Sequence, residues 1–169
     1  MRISTITVHY IPLEDRLKCA VVDKESNKCV LWITRRLAES LVASLVKQIT
    51  DGPLKPELDA NATPTDTPSP QPDDARQVYA QLEARLNKKS ATPVEIDDAT
   101  VAQRLIHEVR MSIHTNRAVS LRFFTPELPE AVLVLTEAEL RQWLEVLRQC
   151  FRAAQWRHDI WPQWLRPNS

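Results

Sequence analysis

Two stretches of this chain carry one pattern of apolar residues, 102 positions apart. The segment CVLWITRRLAESLVASLVKQI, from Cys29, lies without a gap on AVLVLTEAELRQWLEVLRQCF, from Ala131. Val30, Leu31 and Thr34 fall on Val132, Leu133 and Thr136, and Leu45 falls on Leu147. Upstream, the alternation Leu17, Cys19, Val21 falls on Val119, Leu121, Phe123 at the same offset. Ile6, Val8 and Tyr10 match Val109, Met111 and Ile113 once the offset becomes 103, as a one-residue change in a turn would produce. Identities are few. What recurs is three period-2 runs, a threonine break and a helical stripe in one order, which points to an internal duplication.

Each unit reads as strand, turn, strand, turn, strand, helix. Alternating and β-branched residues place strands near 3–11, 16–23 and 28–34, with Pro12 and the Lys24–Asn27 cluster as breaks. Strands this close in sequence pair antiparallel, because a parallel pair needs a longer crossover. Thr34 caps a helix from Arg35 to about Thr50 with a stripe of Leu37, Leu41, Leu45 and Ile49, closed by Gly52 and Pro53. The second unit has strands near 105–114, 117–125 and 130–135. Thr136 and Glu139 form a capping box, and the helix to about Arg157 buries Leu140, Trp143, Leu144, Leu147, Cys150 and Phe151. The segment 99–106 fits a helical stripe through Val101, Leu105 and Val109 and reads as a short helix before the strand. By this reading Cys19 stands opposite Trp32 or Ile33.

Between the units, residues 51–74 hold six prolines and six acids against one lysine. So polar a stretch buries too little to offset its ordering entropy and reads as an extended linker. After it, residues 75–89 form a helix with acids at its start, lysines at its end and Val78, Leu82 and Leu86 on one face. That stripe either lies across one unit or docks on another subunit. A three-stranded sheet with one helix makes a marginal core by itself. The expected fold is therefore α+β. Two antiparallel β-β-β-α units, residues 1–50 and 99–158, pack as a pseudo-symmetric domain with two sheets and two long helices. Residues 159–169 form a tryptophan-rich tail.

Composition narrows the function. The chain has 169 residues and a single glycine, Gly52. Glycine-rich phosphate loops, dinucleotide fingerprints and the G-x-S-x-G elbow all need several positions without a Cβ, so none can be present. The 22 basic and 22 acidic residues cancel, which argues against a broad footprint for nucleic acid or an anionic membrane. No apolar run reaches membrane-span length, and the N-terminal stretch does not read as a signal peptide. A cytoplasmic protein is expected. Cys19, Cys29 and Cys150 each lie in an apolar stretch and read as reduced, buried thiols.

Chemical constellations are sparse. There is no C-x-x-C, H-x3-H or H-E-x-x-H, and His107 and His114 fall on opposite faces of a strand, so no metal or cofactor is expected. Cys150 lies beside Arg148 and Arg152 but on the apolar helix face, and His158 and Asp159 are neighbours that point apart. Arg35 and Arg36 at a helix start could hold a carboxylate or phosphate, an anion site in one unit only. The C-terminal segment is richest. Trp156, Trp161 and Trp164 are interleaved with Arg157 and Arg166, a set that fits partner pockets as hot-spot anchors. The expectation is a non-enzymatic interaction or assembly module using that segment, with homodimerisation, since open sheet edges need cover. The alternative is stacking of the same indoles on single-stranded nucleic acid. If the indoles instead complete the core, neither follows.

Overall fold

Three antiparallel strands open the chain, β1 (Arg2–Ile11), β2 (Arg16–Asp23) and β3 (Lys28–Thr34), followed by α1 (Arg35–Thr50). The computed structural model describes residues 1–56, 72–88, 92–126 and 128–166. Then come α2 (Pro72–Leu86), β4 (Ala102–Leu105), β5 (Glu108–Ile113), β6 (Val119–Phe124), β7 (Ala131–Leu135) and α3 (Glu137–Ala153). A short 3-10 turn, Gln163–Leu165, ends the described chain. The fold is α+β.

The strands form one seven-stranded sheet in the order β4-β3-β2-β1-β7-β6-β5. Two separate sheets were expected, and the sheet is mixed rather than a simple meander. The joint is a parallel pairing of β1 with β7, Arg2 opposite Val132 and Ile3 opposite Leu133, extended by a Val132 N–H bond to the Met1 carbonyl at 2.9 Å. It occupies backbone groups that two separate edges would have left open.

The second correction is β4. Residues 102–105 are not helical but pair parallel with β3, Cys29 opposite Ala102 through Trp32 opposite Leu105. The exposed edge of β3 offers a row of backbone partners, while a helical stripe through Leu105 would have had no apolar cover. Leu105 is exposed. Only Ile106 and His107 separate β4 from β5. Their N–H groups bond to the carbonyls of Trp32 and Phe124 at 2.9 and 3.0 Å, so the two ends of the sheet meet and it curls around.

Pairing registers follow the offsets read from the sequence. In β1–β2, Ile6, Val8 and Tyr10 stand opposite Val21, Cys19 and Leu17; in β5–β6, Val109, Met111 and Ile113 stand opposite Phe123, Leu121 and Val119. In β2–β3, Leu17, Cys19 and Val21 meet Ile33, Leu31 and Cys29; in β6–β7, Val119, Leu121 and Phe123 meet Leu135, Leu133 and Ala131. Cys19 thus faces Leu31, not Trp32 or Ile33, a shift of one or two residues from the expected register. Residues 12–15 close the first hairpin, and residues 115–117 close the second beyond a His114–Ala118 bond of 2.8 Å. The second loop is one residue shorter, which accounts for the change of offset.

Both long helices start on threonine. Thr34 Oγ1 accepts the Leu37 N–H at 3.4 Å. Thr136 Oγ1 accepts the Glu139 N–H at 3.3 Å while Glu139 accepts the Thr136 N–H at 2.8 Å, a complete capping box. Gly52 closes α1 by close approach rather than by a left-handed turn. A Cβ there would sit 2.8 Å from the Gln48 Cα. Leu54 then turns inward and is fully buried. Residues 57–71 of the proline-rich stretch lie outside the described residues, and Pro72–Asp74 already belong to α2.

The core is continuous. It joins Leu17, Cys19, Val21, Leu31 and Ile33 of the first strands to Val119, Leu121, Phe123 and Leu133 of the later ones. The helix contributions are Leu41, Leu45 and Ile49 from α1 and Leu140, Leu144, Leu147 and Phe151 from α3. Each long helix touches both halves, α3 packing on β1 and β7 and α1 on β2, β3 and β5. Cys19, Cys29 and Cys150 are free and buried. No helix among the described residues is long and apolar enough to cross a membrane.

Candidate functional site

The C-terminal segment folds back onto the body. Trp156, Trp161 and Trp164 retain only 1%, 2% and 7% of their surface in solvent. Trp156 stands edge-on to Tyr10 and Phe151, with centroids 5.5 and 5.1 Å away, and Trp161 stands edge-on to Phe151 at 5.2 Å. The Trp156 Nε1–H donates to Asp15 Oδ1 at 2.8 Å, an oxygen that also accepts the Tyr10 hydroxyl at 3.0 Å. Burial raises the Tyr10 pKa, and the Asp15 carboxylate adds to it. Arg166 donates to the Trp161 carbonyl through Nε at 3.1 Å and Nη2 at 2.8 Å, which ties the segment to itself. Arg157 is exposed and pairs with Asp159, lowering that carboxyl.

Of the two readings open from the sequence, this placement is the one in which the indoles complete the core. Their faces are spent on Phe151, Tyr10 and Arg141, so neither a partner pocket nor a base can stack on them while the segment stays folded. Apolar area explains the outcome, since three indoles gain more from the open end of the core than from water.

Arg35 and Arg36 do not converge. Arg35 pairs with Glu39 at 2.9 Å and lies 6.0 Å from the Trp156 ring. Arg36 lines a cleft of about 480 Å³ with Thr34, Ser40 and His107, where α1 begins and β4 turns into β5. His114 is elsewhere, its Nε2 2.6 Å from Ser120 Oγ. Burial pushes the Cys150 thiol up, away from a reactive thiolate. Among the described residues, no three His, Cys, Asp or Glu side chains gather as metal ligands.

The feature that sequence reasoning missed is the orientation of α2. Its glutamine face is buried and its apolar stripe points outward. Gln77, Gln81 and Ala84 are buried against the body, while Val78, Tyr79, Leu82 and Leu86 keep 50%, 69%, 49% and 78% of their surface exposed. The seat beneath α2 is polar by design of α3, whose Arg141 is 1% exposed. Arg141 Nη2 donates to Gln77 Oε1 at 2.9 Å and to Glu137 Oε1 at 3.4 Å, and its guanidinium lies 5.4 Å from the Trp164 ring. Burial lowers the Arg141 pKa, and Glu137 opposes this.

Further polar bonds fix the register of α2. Gln77 Nε2 donates to the Ile49 carbonyl at the end of α1 at 2.7 Å. Gln142 Nε2 reaches the Ala84 carbonyl at 2.6 Å, and Arg85 Nε bonds both Glu145 oxygens at 3.1 Å. Lys55 pairs with Asp73 at 2.8 Å. Burying these amides and this guanidinium without partners would cost several kcal/mol, so the polar side of α2 must face α3. The signal was present in the sequence: Gln77, Gln81 and Ala84 share one helix face, as do Arg141 and Arg148 on α3.

Comparison with known protein families, with curated proteins and with solved structures finds no match.

Proposed function

We propose that this protein is a non-enzymatic assembly module whose contact surface is the outward face of α2. One observation carries the reading: α2 turns Gln77 and Gln81 inward and leaves Val78, Tyr79, Leu82 and Leu86 in solvent. The polar seat on α3 fixes that orientation and leaves a run of apolar side chains in solvent, which is what an association surface presents. Covering four such half-exposed side chains contributes on the order of 4–7 kcal/mol of transfer free energy, enough to drive association once ordering costs are met. In this reading the segment with Trp156, Arg157, Trp161, Trp164 and Arg166 has a supporting role. It closes the core and puts Trp164 under Arg141, the residue that holds Gln77.

The scaffold that presents α2 is, in the same proposal, two β-β-β-α units arisen by duplication. Support comes from the matching registers of β1–β2–β3 and β5–β6–β7 and from the threonine caps 102 positions apart. Only the second unit's helix carries α2, so the surface has no counterpart on α1.

The test is particle size in an extract of the source cells. Crosslinked inside the intact cells before lysis, so that dilution cannot dissociate it, the protein should migrate well above its 19.4 kDa monomer mass. A variant carrying Val78→Ser, Leu82→Ser and Leu86→Ser should migrate as a monomer with an unchanged melting temperature. Migration of the wild type at monomer mass refutes the proposal.

A further inference from the structure

We infer that the occupant of the α2 surface is a second copy of this chain, with the two α2 helices crossing antiparallel about an axis at Leu82. The inference rests on the assembly reading above and names its partner. The stripe is symmetric about its middle. Val78 and Leu86 lie four residues on either side of Leu82, so in an antiparallel crossing Leu82 meets itself and Val78 meets Leu86 of the second copy.

The charges select the same arrangement. Asp73 and Asp74 open the helix, Arg85 lies in its last turn, and Lys88 follows two residues past its end. Asp73 is held by Lys55 and Arg76, and Arg85 by Glu145. Asp74 and Lys88 are exposed and enter no ion pair with another described residue. At 1.5 Å per residue Asp74 lies about 12 Å before Leu82, and Lys88 lies past the helix end at Leu86, on the other side of Leu82. An antiparallel crossing sets each Asp74 beside Lys88 of the second copy. A parallel one would set Asp74 against Asp74 and Lys88 against Lys88, which disfavours it. A surface that complements itself under a two-fold rotation is what an isologous dimer requires. Two helices of this length bury a small area, so the dimer dissociates readily on dilution.

The experiment is sedimentation velocity of the purified full chain over a range of concentrations. The wild type should shift from monomer to dimer by about 100 µM. Leu82→Asp should stay monomeric throughout, with an unchanged melting curve at low concentration because Leu82 is half-exposed. Asp74→Lys and Lys88→Asp should each weaken the dimer about tenfold, and the double variant should recover most of the loss. Leu82→Cys should form an interchain disulfide under mild oxidation. A dimer indifferent to Leu82→Asp and to the charge reversals overturns the inference, because another face then makes it. A purified chain that stays monomeric also overturns it, while a large particle in the cell extract would leave the assembly reading standing with a different partner.

Discussion

Replacing Trp156 by alanine separates a core role from a docking role for the C-terminal segment. The indole is 1% exposed, stands edge-on to Tyr10 and Phe151, and donates a 2.8 Å bond to Asp15. Truncating a buried tryptophan costs about 3–5 kcal/mol, through lost transfer free energy and the cavity left behind. Domains of this size are stable by about 5–15 kcal/mol, so the loss is about a fifth or more of the total. With a urea m-value near 2 kcal/mol/M, the unfolding midpoint should fall by about 2 M. Trp156→Phe keeps an aromatic edge for Tyr10 and Phe151 but deletes the N–H. It should cost about 1–2 kcal/mol, the lower part of the range for a bond to a carboxylate because Asp15 keeps the Tyr10 hydroxyl. Leu82→Ser, on the outward face, should stay within about 0.5 kcal/mol. Circular dichroism in a urea titration reads all three. A change below about 1 kcal/mol for Trp156→Ala would refute the placement of the segment in the core.

Arg141→Met should loosen α2 without unfolding the sheet, because it removes the guanidinium that holds Gln77. Amide exchange within α2 should accelerate about tenfold while β1 and β2 stay protected, and equal acceleration in both would contradict this. Asp23 accepts the Asn27 side-chain amide at 2.9 Å and the N–H groups of Asn27 and Glu25, and these hold its carboxyl below the ordinary range despite burial. A lowered folded-state pKa stabilises above the unfolded value near 4, and that contribution is lost as pH falls through the folded value. Asp23→Asn should therefore flatten the acid limb of stability against pH, and an unchanged limb would count against the turn network. The Cys19, Cys29 and Cys150 thiols, all buried and all pushed up by burial, should resist a thiol reagent in the native protein and react together on unfolding.

Local pattern made much of this fold legible. β2 and β3 read from alternation between turn residues, and both threonine caps read from hydroxyls placed before helical stripes. The pairing register was not legible: Cys19 meets Leu31, not Trp32 or Ile33, because the turn that sets it offers no side-chain signal of register. The parallel joint of β1 to β7 was not legible, because Arg2 and Ile3 meet Val132 and Leu133 through backbone groups that carry no side-chain signature. For the same reason β4 read as a helix: Leu105 fits a helical period, and the open edge of β3 that captures it lies some seventy residues upstream. The tryptophans were legible as apolar mass but not as core or surface, since that depends on whether the body leaves a gap beside Phe151 and Tyr10. The stripe of α2 left its orientation open, which the buried Arg141 decides: one buried charge outweighs the transfer free energy of a narrow apolar stripe.

Cysteine scanning along α2 tests the central claim most directly. Single cysteines at positions 77, 78, 81, 82, 84 and 86 would be labelled with a maleimide, against a background of three buried native thiols. At low concentration, positions 77, 81 and 84 should be protected and positions 78, 82 and 86 should react fast. As concentration rises, labelling at 78, 82 and 86 should slow. Protection of 78, 82 and 86 at every dilution, with 77 and 81 reactive, would mean that α2 packs the other way round and that no apolar face is on offer.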